Sequence, residues 1–342
     1  MPKSVNGLWK EIISFENLLA AHKEARKGKK FKGDVLQFGY NLEENLLNIQ
    51  NHLIWKSWTP GKHCTFYVYD PKKRLISAPS FEDRVVHHAL VRIIEPLFEK
   101  KFVFDSYACR KGKGIHAATL RLQSFLRKAN KNWRNIYVLK ADISKYFPSI
   151  NRQRLLEILK RTIKDKDVLW LCERIIKQSK ENTGIPVGAL TSQLFANIYL
   201  DTLDHFIKDD LGVKFYIRYM DDFVILKESK SELWELLHKI EEFLMHQLYL
   251  ILNPKTSIFP AVRGVDFAGY RTWATHILPR KRNVKRARKR FKRFAKAYAQ
   301  GKIDLEYIRP RVMSFLGYMK HCSSYITLKY FFNKFMLKKY AE

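Results

Sequence analysis

Apolar positions recur at three- and four-residue steps in LWKEIISFENLLAAHKEA and again in LEENLLNIQNHLI, which predicts helices across residues 8–55. The basic, glycine-bearing RKGKKFKG between them reads as an exposed link. From HCTFYVYDPKKRLISAPSFEDRVVHHAL the pattern predicts a strand, a turn at DPKK, a second strand and a helix from about Phe81. NIYVLKADISKYFPSI is a β-rich run ending at Asp142, followed by a turn and a new helix from Arg152. Leu194, Phe195, Ile198, Leu203 and Phe206 mark one helix face over 190–208. VKFYIRYMDDFVILKES reads as two short strands around a tight turn, residues 231–248 return to helical spacing, and VDFAGYRTWATHILPR is a further hairpin candidate. Beyond Pro279 the chain becomes helical and strongly basic.

The 342 residues, 46% of them hydrophobic, suffice for a large core in two or three lobes. Charge sharpens the picture: 64 Lys and Arg against 33 Asp and Glu leave a formal +31. Such an excess points to a polyanionic partner, nucleic acid before an anionic membrane surface, and the many aromatic rings suit base stacking. No apolar run approaches a membrane span, and MPKSVNGLWKEIISFENLL does not resemble a signal peptide. Cys64, Cys109, Cys172 and Cys322 are too scattered for a zinc site or disulfide framework. The expectation is a soluble cytoplasmic protein without a membrane partner.

Asp221 and Asp222 stand side by side between two runs that want burial. Neighbouring carboxylates repel, so they occupy either a solvated turn or a cation site. If the strand ending at Asp142 neighbours the 215–226 hairpin in one antiparallel sheet, three carboxylates meet at its edge. Hard oxygen ligands of this kind suit Mg²⁺, and a pair of such ions can activate a 3′-hydroxyl and stabilise departing pyrophosphate.

The ordered motifs resemble the reverse transcriptase family. RYMDDFVIL looks like its YxDD hairpin, LKADISKYFPSI like its first catalytic motif, and GIPVGALTSQLFANIYL like the motif supporting the nascent base pair. LNPKTSIF and VDFAGYRTW resemble the next palm motifs, and KKRLISAPSFEDRVVHHAL and SYACRKGKGIHAA resemble the fingers motifs of bacterial, group II intron-like enzymes. The resemblance implies an α+β right-hand polymerase fold: an N-terminal helical extension (1–60), fingers (61–135), a palm of antiparallel sheet plus helices (136–275, interleaved with the fingers) and a helical basic thumb (276–342). It implies two Mg²⁺ ions held by Asp142, Asp221, Asp222 and the Ile143 carbonyl, with deoxynucleoside triphosphates as substrates.

Around these residues the resemblance assigns further roles. Phe147, five positions after Asp142, matches the aromatic steric gate against a ribose 2′-hydroxyl. Lys73, Arg74 and Arg84 are candidates to clamp the triphosphate, and spacing leaves open which of Lys73 and Arg74 touches it. Lys255 matches a general acid for the leaving pyrophosphate, while an ordinary surface lysine is the equal alternative. Val187, Gly188 and Gln193 border the nascent pair. His87 and His88 sit mid-helix without ligand spacing and read as packing, whereas His116 reads as lying near the template. Ten of the fourteen residues 280–293 are Arg or Lys, and Val284, Ala287, Phe291, Phe294 and Tyr298 form an apolar stripe among them. Lys285, Arg286, Lys289, Arg290 and Arg293 are therefore expected on the phosphates of an RNA/DNA duplex, with Arg110 as a further nucleic-acid contact.

Most reverse transcriptases carry QGxxxSP in the template motif. Here Val187 replaces the glutamine and Gln193 the proline, a form resembling diversity-generating retroelement enzymes. That resemblance implies error-prone copying, especially opposite adenine, of a structured template-repeat RNA, with a small basic oligomeric accessory variability protein, in a bacterial, phage-encoded or archaeal setting. A retron-like or antiphage-defence enzyme is the rival enzymatic reading, and a catalytically silent RNA-binding scaffold the rival from another class.

Overall fold

The computed structural model describes residues 6–69, 73–177, 182–333 and 335–338. The chain opens with helices α1 (Trp9–Ile13), α2 (Phe15–Ala25), α3 (Gly33–Tyr40) and α4 (Leu42–Ile54), then strands β1 (Cys64–Val68) and β2 (Arg74–Ala78). Helices α5 (Phe81–Glu99) and α6 (Ile115–Asn132) precede strand β3 (Tyr137–Asp142). Next come α7 (Tyr146–Ser149), α8 (Arg152–Thr162), α9 (Lys166–Ile176) and α10 (Leu190–His205), the last running into a π turn at Phe206–Asp210. Strands β4 (Tyr216–Tyr219) and β5 (Asp222–Lys227), helix α11 (Lys230–Leu248) and strands β6 (Ser257–Pro260), β7 (Val265–Phe267), β8 (Tyr270–Thr272) and β9 (Ile277–Pro279) follow. Helices α12 (Lys281–Ala299), α13 (Leu305–Met319) and α14 (Tyr325–Phe332) complete the described chain.

Helices start where the sequence supplies an oxygen for the first free N–H groups. Ser14, Ser80, Asn151, Asp165 and Asp304 each accept such a bond, at α2, α5, α8, α9 and α13. The helices and strands predicted from periodicity appear where expected, including α5 from Phe81 and α8 from Arg152. The DPKK turn falls at Asp70–Lys72, outside the described residues, with Lys73 beyond it. The expected hairpin at VDFAGYRTWATHILPR is a three-stranded meander instead, β7-β8-β9, because β8 pairs on both edges. No helix of the described residues is long and apolar enough to cross a membrane.

Two compact units are each assembled from three stretches of chain. The first comprises Met1–Arg110, Asp142–Val213 and His238–Lys255, and the second Lys111–Ala141, Lys214–Leu237 and Thr256–Glu342. In the first, α5 packs against α2 and α10, and α10 against α8, around the buried Leu18, Val86, Leu90, Leu155, Ile198 and Leu203. In the second, strands run in the order β4-β5-β3-β6. Helix α6 lies on this sheet, with Phe125 and Trp133 both against Phe215. A separate cluster of Val284, Phe291 and Phe331 joins α12 to α14, with Phe315 of α13 packed on it.

His87 sits on the inner face of α5, its Nδ1 3.4 Å from Thr191 Oγ1, and burial pushes its pKa from 6.5 down to about 3 with help from the charges of His63 and His88. Below pH 6.5 the unfolded chain binds a proton that the folded chain refuses, so stability falls as pH falls through that window. His87→Asn should remove a slope of up to about 1.4 kcal/mol per pH unit, measured by denaturant titration between pH 7 and pH 5. Equal slopes in the two proteins would contradict the buried neutral ring.

Candidate active site

The adjacent aspartates sit where β4 turns into β5. Tyr219 pairs with Asp222, so Met220 and Asp221 alone make the turn, and Met220 takes a left-handed φ of 58°. A non-glycine residue in that region is strained unless held. Arg218 provides a hold: fully buried on β4, it donates from Nη1 to the Met220 carbonyl at 2.9 Å. Asp222 is engaged by Lys140 of β3, whose Nζ lies 2.5 Å from Oδ1. Both side chains are about three-quarters buried (24% and 25% exposed), enough to shield the pair from solvent screening. Lys140 thereby marks the end of β3 beside the start of β5. Side chains alternate along a strand, which puts Lys140 and Asp142 on one face.

Asp142 closes β3 and opens the first unit's second stretch. Its carbonyl accepts from the Asn253 N–H at 2.7 Å, and Ser144 N–H donates to the Ile251 carbonyl at 2.9 Å. These bonds flank an antiparallel bridge between Ile143 and Leu252. Residues flanked in this way form the non-hydrogen-bonded pair, so the Ile143 carbonyl turns away from the 251–253 segment. Asn253 also donates from Nδ2 to Asp142 Oδ2 at 3.2 Å and accepts the Lys255 N–H through Oδ1 at 3.1 Å. Lys255 itself is exposed.

The donors suit a divalent cation only in part by themselves. Among the described residues no three His, Cys, Asp or Glu side chains are grouped to hold a metal ion. The expected set of three carboxylates is therefore no closed cage, and Asp222 is committed to Lys140. Carboxylate and carbonyl oxygens that leave coordination positions to phosphates are nonetheless the chemistry that Mg²⁺ prefers.

The residues expected around the nucleotide are set mainly by backbone bonds within the first unit. Phe147, on α7 and half-buried, accepts the Ile185 N–H at 3.0 Å, and the Gly184 N–H donates to Ile150 at 2.8 Å. Gly184 has φ +84° and lies against the Pro148 backbone, where a Cβ would come within 3.1 Å of the carbonyl oxygen. The Val187 carbonyl accepts from Ser77 N–H of β2 at 2.8 Å. Gly188, at φ +127°, leaves only 3.0 Å between a built Cβ and both Ile76 Cγ2 and Ser77 O. Gln193 is exposed on the first turn of α10.

On the β1–β2 hairpin, Lys73 and Arg74 are exposed, and the Lys73 ammonium lies 4.3 Å from the centre of the Tyr67 ring. Arg84 is partly committed, donating to the Pro79 carbonyl at 3.0 Å and standing 4.0 Å from Asp34. Sequence reasoning did not anticipate its neighbours: burial, then the charges of Arg84 and Lys32, lower the Lys29 pKa. A cavity of about 1080 Å³ opens between Gly61–His63, Leu75, Ser77, Pro148, Arg152, Arg174, Lys177 and Gly184–Val187.

Of the expected nucleic-acid contacts, Lys285, Lys289, Arg290 and Arg293 are exposed on α12 and Arg286 is half-buried. Arg110 is placed otherwise. Its side chain is 5% exposed, pairs with Glu99 at 2.7 Å and donates to the Val103 and Ser106 carbonyls. Its guanidinium is spent on the protein's own chain. His88 faces Glu24 at 3.6 Å, and His116 stacks on His321 and meets the Tyr270 hydroxyl at 3.1 Å. Lys140, Arg218 and Asn253 were not singled out from the sequence. For Lys140 the signal was present in its two-residue spacing from Asp142.

The profile described as "Reverse transcriptase (RNA-dependent DNA polymerase)" matches residues 60–272. The chain is 26% identical over 249 residues to Protein YkfC of Escherichia coli (strain K12), covering 60% of this chain and 65% of that protein. It is also 26% identical over 208 residues to the group II intron-encoded protein LtrA of Lactococcus lactis subsp. cremoris, covering 57% of this chain and 33% of that one. It thus spans less than two thirds of the length of either relative. Among solved structures, apo telomerase from Candida tropicalis aligns with a TM-score of 0.49 at 13% identity, over 74% of this chain and 56% of that chain.

Proposed function

Because this chain belongs to the reverse transcriptase (RNA-dependent DNA polymerase) family, we propose that it copies an RNA template into DNA by nucleotidyl transfer. The observation that carries this reading is the Lys140–Asp222 contact, which brings the end of the Asp142 strand beside the strand following the two-aspartate turn. Asp142 and Asp221, with the Ile143 carbonyl, would hold two Mg²⁺ ions, and Asp222 contributes from its paired position. When bound, such ions activate the 3′-hydroxyl and neutralise charge on the leaving pyrophosphate. The chain's own side chains do the rest. Lys73 or Arg74, with Arg84, hold the triphosphate, Phe147 lies beneath the sugar, and Lys255 delivers a proton to pyrophosphate.

The cavity lined by Lys62, Arg152, Arg174 and Lys177, the last paired with Glu173, is the surface assigned to single-stranded template RNA. Exposed α12 residues Lys285, Lys289, Arg290 and Arg293 grip duplex phosphates without reading sequence. In this reading residues 61–135 act as fingers, 136–275 as palm and 276–342 as thumb.

We further infer the diversity-generating type, in which a template-repeat RNA is copied with errors opposite adenine alongside a small basic accessory protein. Support comes from Val187 and Gly188. The loop is anchored to β2 through the Val187 carbonyl, while the side chain is aliphatic. Apolar shape discriminates between partners more weakly than a polar contact does.

Primer extension on RNA by wild type, Asp142→Ala and Asp221→Ala, reconstituted with template RNA and any accessory protein, tests the polymerase reading. Both variants should lose at least about 10³-fold in rate if electrostatic stabilisation of the transferring group is removed. Extension that survives both changes would rule out the two-metal proposal. Val187→Gln should reduce misincorporation opposite adenine, read by sequencing the products, and an unchanged error spectrum would remove the position from fidelity control. Phe147→Ala should raise ribonucleotide incorporation relative to deoxynucleotide, and a constant ratio would exclude the gate.

A further inference from the structure

Asn253 touches the candidate catalytic strand twice and the candidate general acid once. Its N–H donates to the Asp142 carbonyl at 2.7 Å, its Nδ2 donates to Asp142 Oδ2 at 3.2 Å, and its Oδ1 accepts the Lys255 N–H at 3.1 Å. It is half-buried, next to Leu252, which bridges to Ile143. A single residue therefore registers a carboxylate, the peptide after it and the start of the NPKT turn.

We propose that Asn253 is a positioning residue that sets the Asp142 carboxylate for cation binding, an inference that rests on the metal role given to Asp142 above. A carboxylate on a strand end can rotate about its side-chain bonds, and each rotation costs a bound cation its alignment. The amide of Asn253 fixes one oxygen, Oδ2, and leaves Oδ1 without a hydrogen bond among the described residues. The chemistry of the donor matters as much as its place. Lys140 neutralises Asp222, which lowers that group's attraction for a cation. Asn253 is neutral, so it orients Asp142 without offering a counter-charge. Groups that hydrogen-bond a metal-ligating carboxylate typically contribute about 10–100-fold to metal affinity. The same amide's Oδ1 pins the backbone at Lys255, so orientation of the carboxylate and placement of the lysine depend on one side chain.

The test is Mn²⁺ binding, followed by electron paramagnetic resonance, to the full chain on an RNA template with a dideoxy-terminated primer and incoming nucleotide. Asn253→Ala should weaken Mn²⁺ binding about tenfold and raise the Mg²⁺ concentration for half-maximal extension by a similar factor. Primer–template affinity, read by fluorescence anisotropy, should stay within twofold, and this also reports that the variant is folded. Asn253→Ser, which restores a small donor, should recover part of the loss. Unchanged Mn²⁺ affinity in Asn253→Ala, with or without a fall in rate, would overturn the proposal. Asp142→Ala separates the two levels. If it leaves Mn²⁺ binding intact, the metal role of Asp142 fails; if it abolishes binding while Asn253→Ala does not, only the role of Asn253 fails.

Discussion

Adjacent carboxylates repel, and the structure resolves that repulsion by treating the aspartates differently. Asp222 receives a cation from the protein itself, through Lys140. Asp142 receives a neutral hydrogen bond from Asn253 and keeps its charge. Asp221 occupies the turn, whose strained Met220 backbone is tied down by the buried Arg218. Two open carboxylates side by side would have opposed folding of the hairpin, and Lys140 relieves that repulsion at Asp222. Chemically identical groups are thus given different partners, a lysine for Asp222 and a neutral amide for Asp142.

Main-chain bonds carry much of the rest. The 142–144 segment is splinted by 251–253, Phe147 and Ile150 by 184–185, and Val187 by Ser77. Two glycines make this possible, since at 184 and 188 the positive φ and the close backbone approach exclude a side chain. A loop held through its peptide groups does not need any given side chain to keep its place. Valine can therefore stand at 187 without loosening the loop. The side chain at that position becomes free to vary while the architecture stays fixed.

What could be read from the sequence follows the physics of each feature. Long segments with a clear period, such as α5, α11 and the β4–β5 hairpin, were legible because burial on one face writes its spacing into the chain. The neighbourhood of β3 and the two-aspartate hairpin stood only as a condition, since a β-rich run does not write its partner strand into the chain. Strand β6 was not, being four residues long with none of them fully buried. The meander at β7–β9 was half legible: its tight turns showed, but a third pairing edge leaves no local mark. Asn253 and Arg218 were invisible for a different reason. Their roles lie in hydrogen bonds, that of Asn253 to the Asp142 carboxylate and that of Arg218 to the Met220 carbonyl, and such a bond has no composition or period.

The basic residues show why net charge alone misassigns individual contacts. Arg110 and the α12 arginines look alike in sequence, each within a cluster of positive charge. Arg110, however, lies one helical end away from Glu99 and is drawn into a buried pair with it. Residues 280–303 contain no acidic residue at all, so no carboxylate within that run can claim its arginines and lysines. Burial of an arginine requires a carboxylate or a set of carbonyls to replace its water, and Arg110 has both, in Glu99 and the Val103 and Ser106 carbonyls. With 33 acidic side chains for 64 basic ones, most of the excess has to remain at the surface. The apolar stripe of α12 then decides which surface, because it turns the helix so that Val284 and Phe291 are inside and Lys285, Lys289 and Arg293 are out. The positive surface of α12 thus follows from where carboxylates are missing as much as from where cations are present.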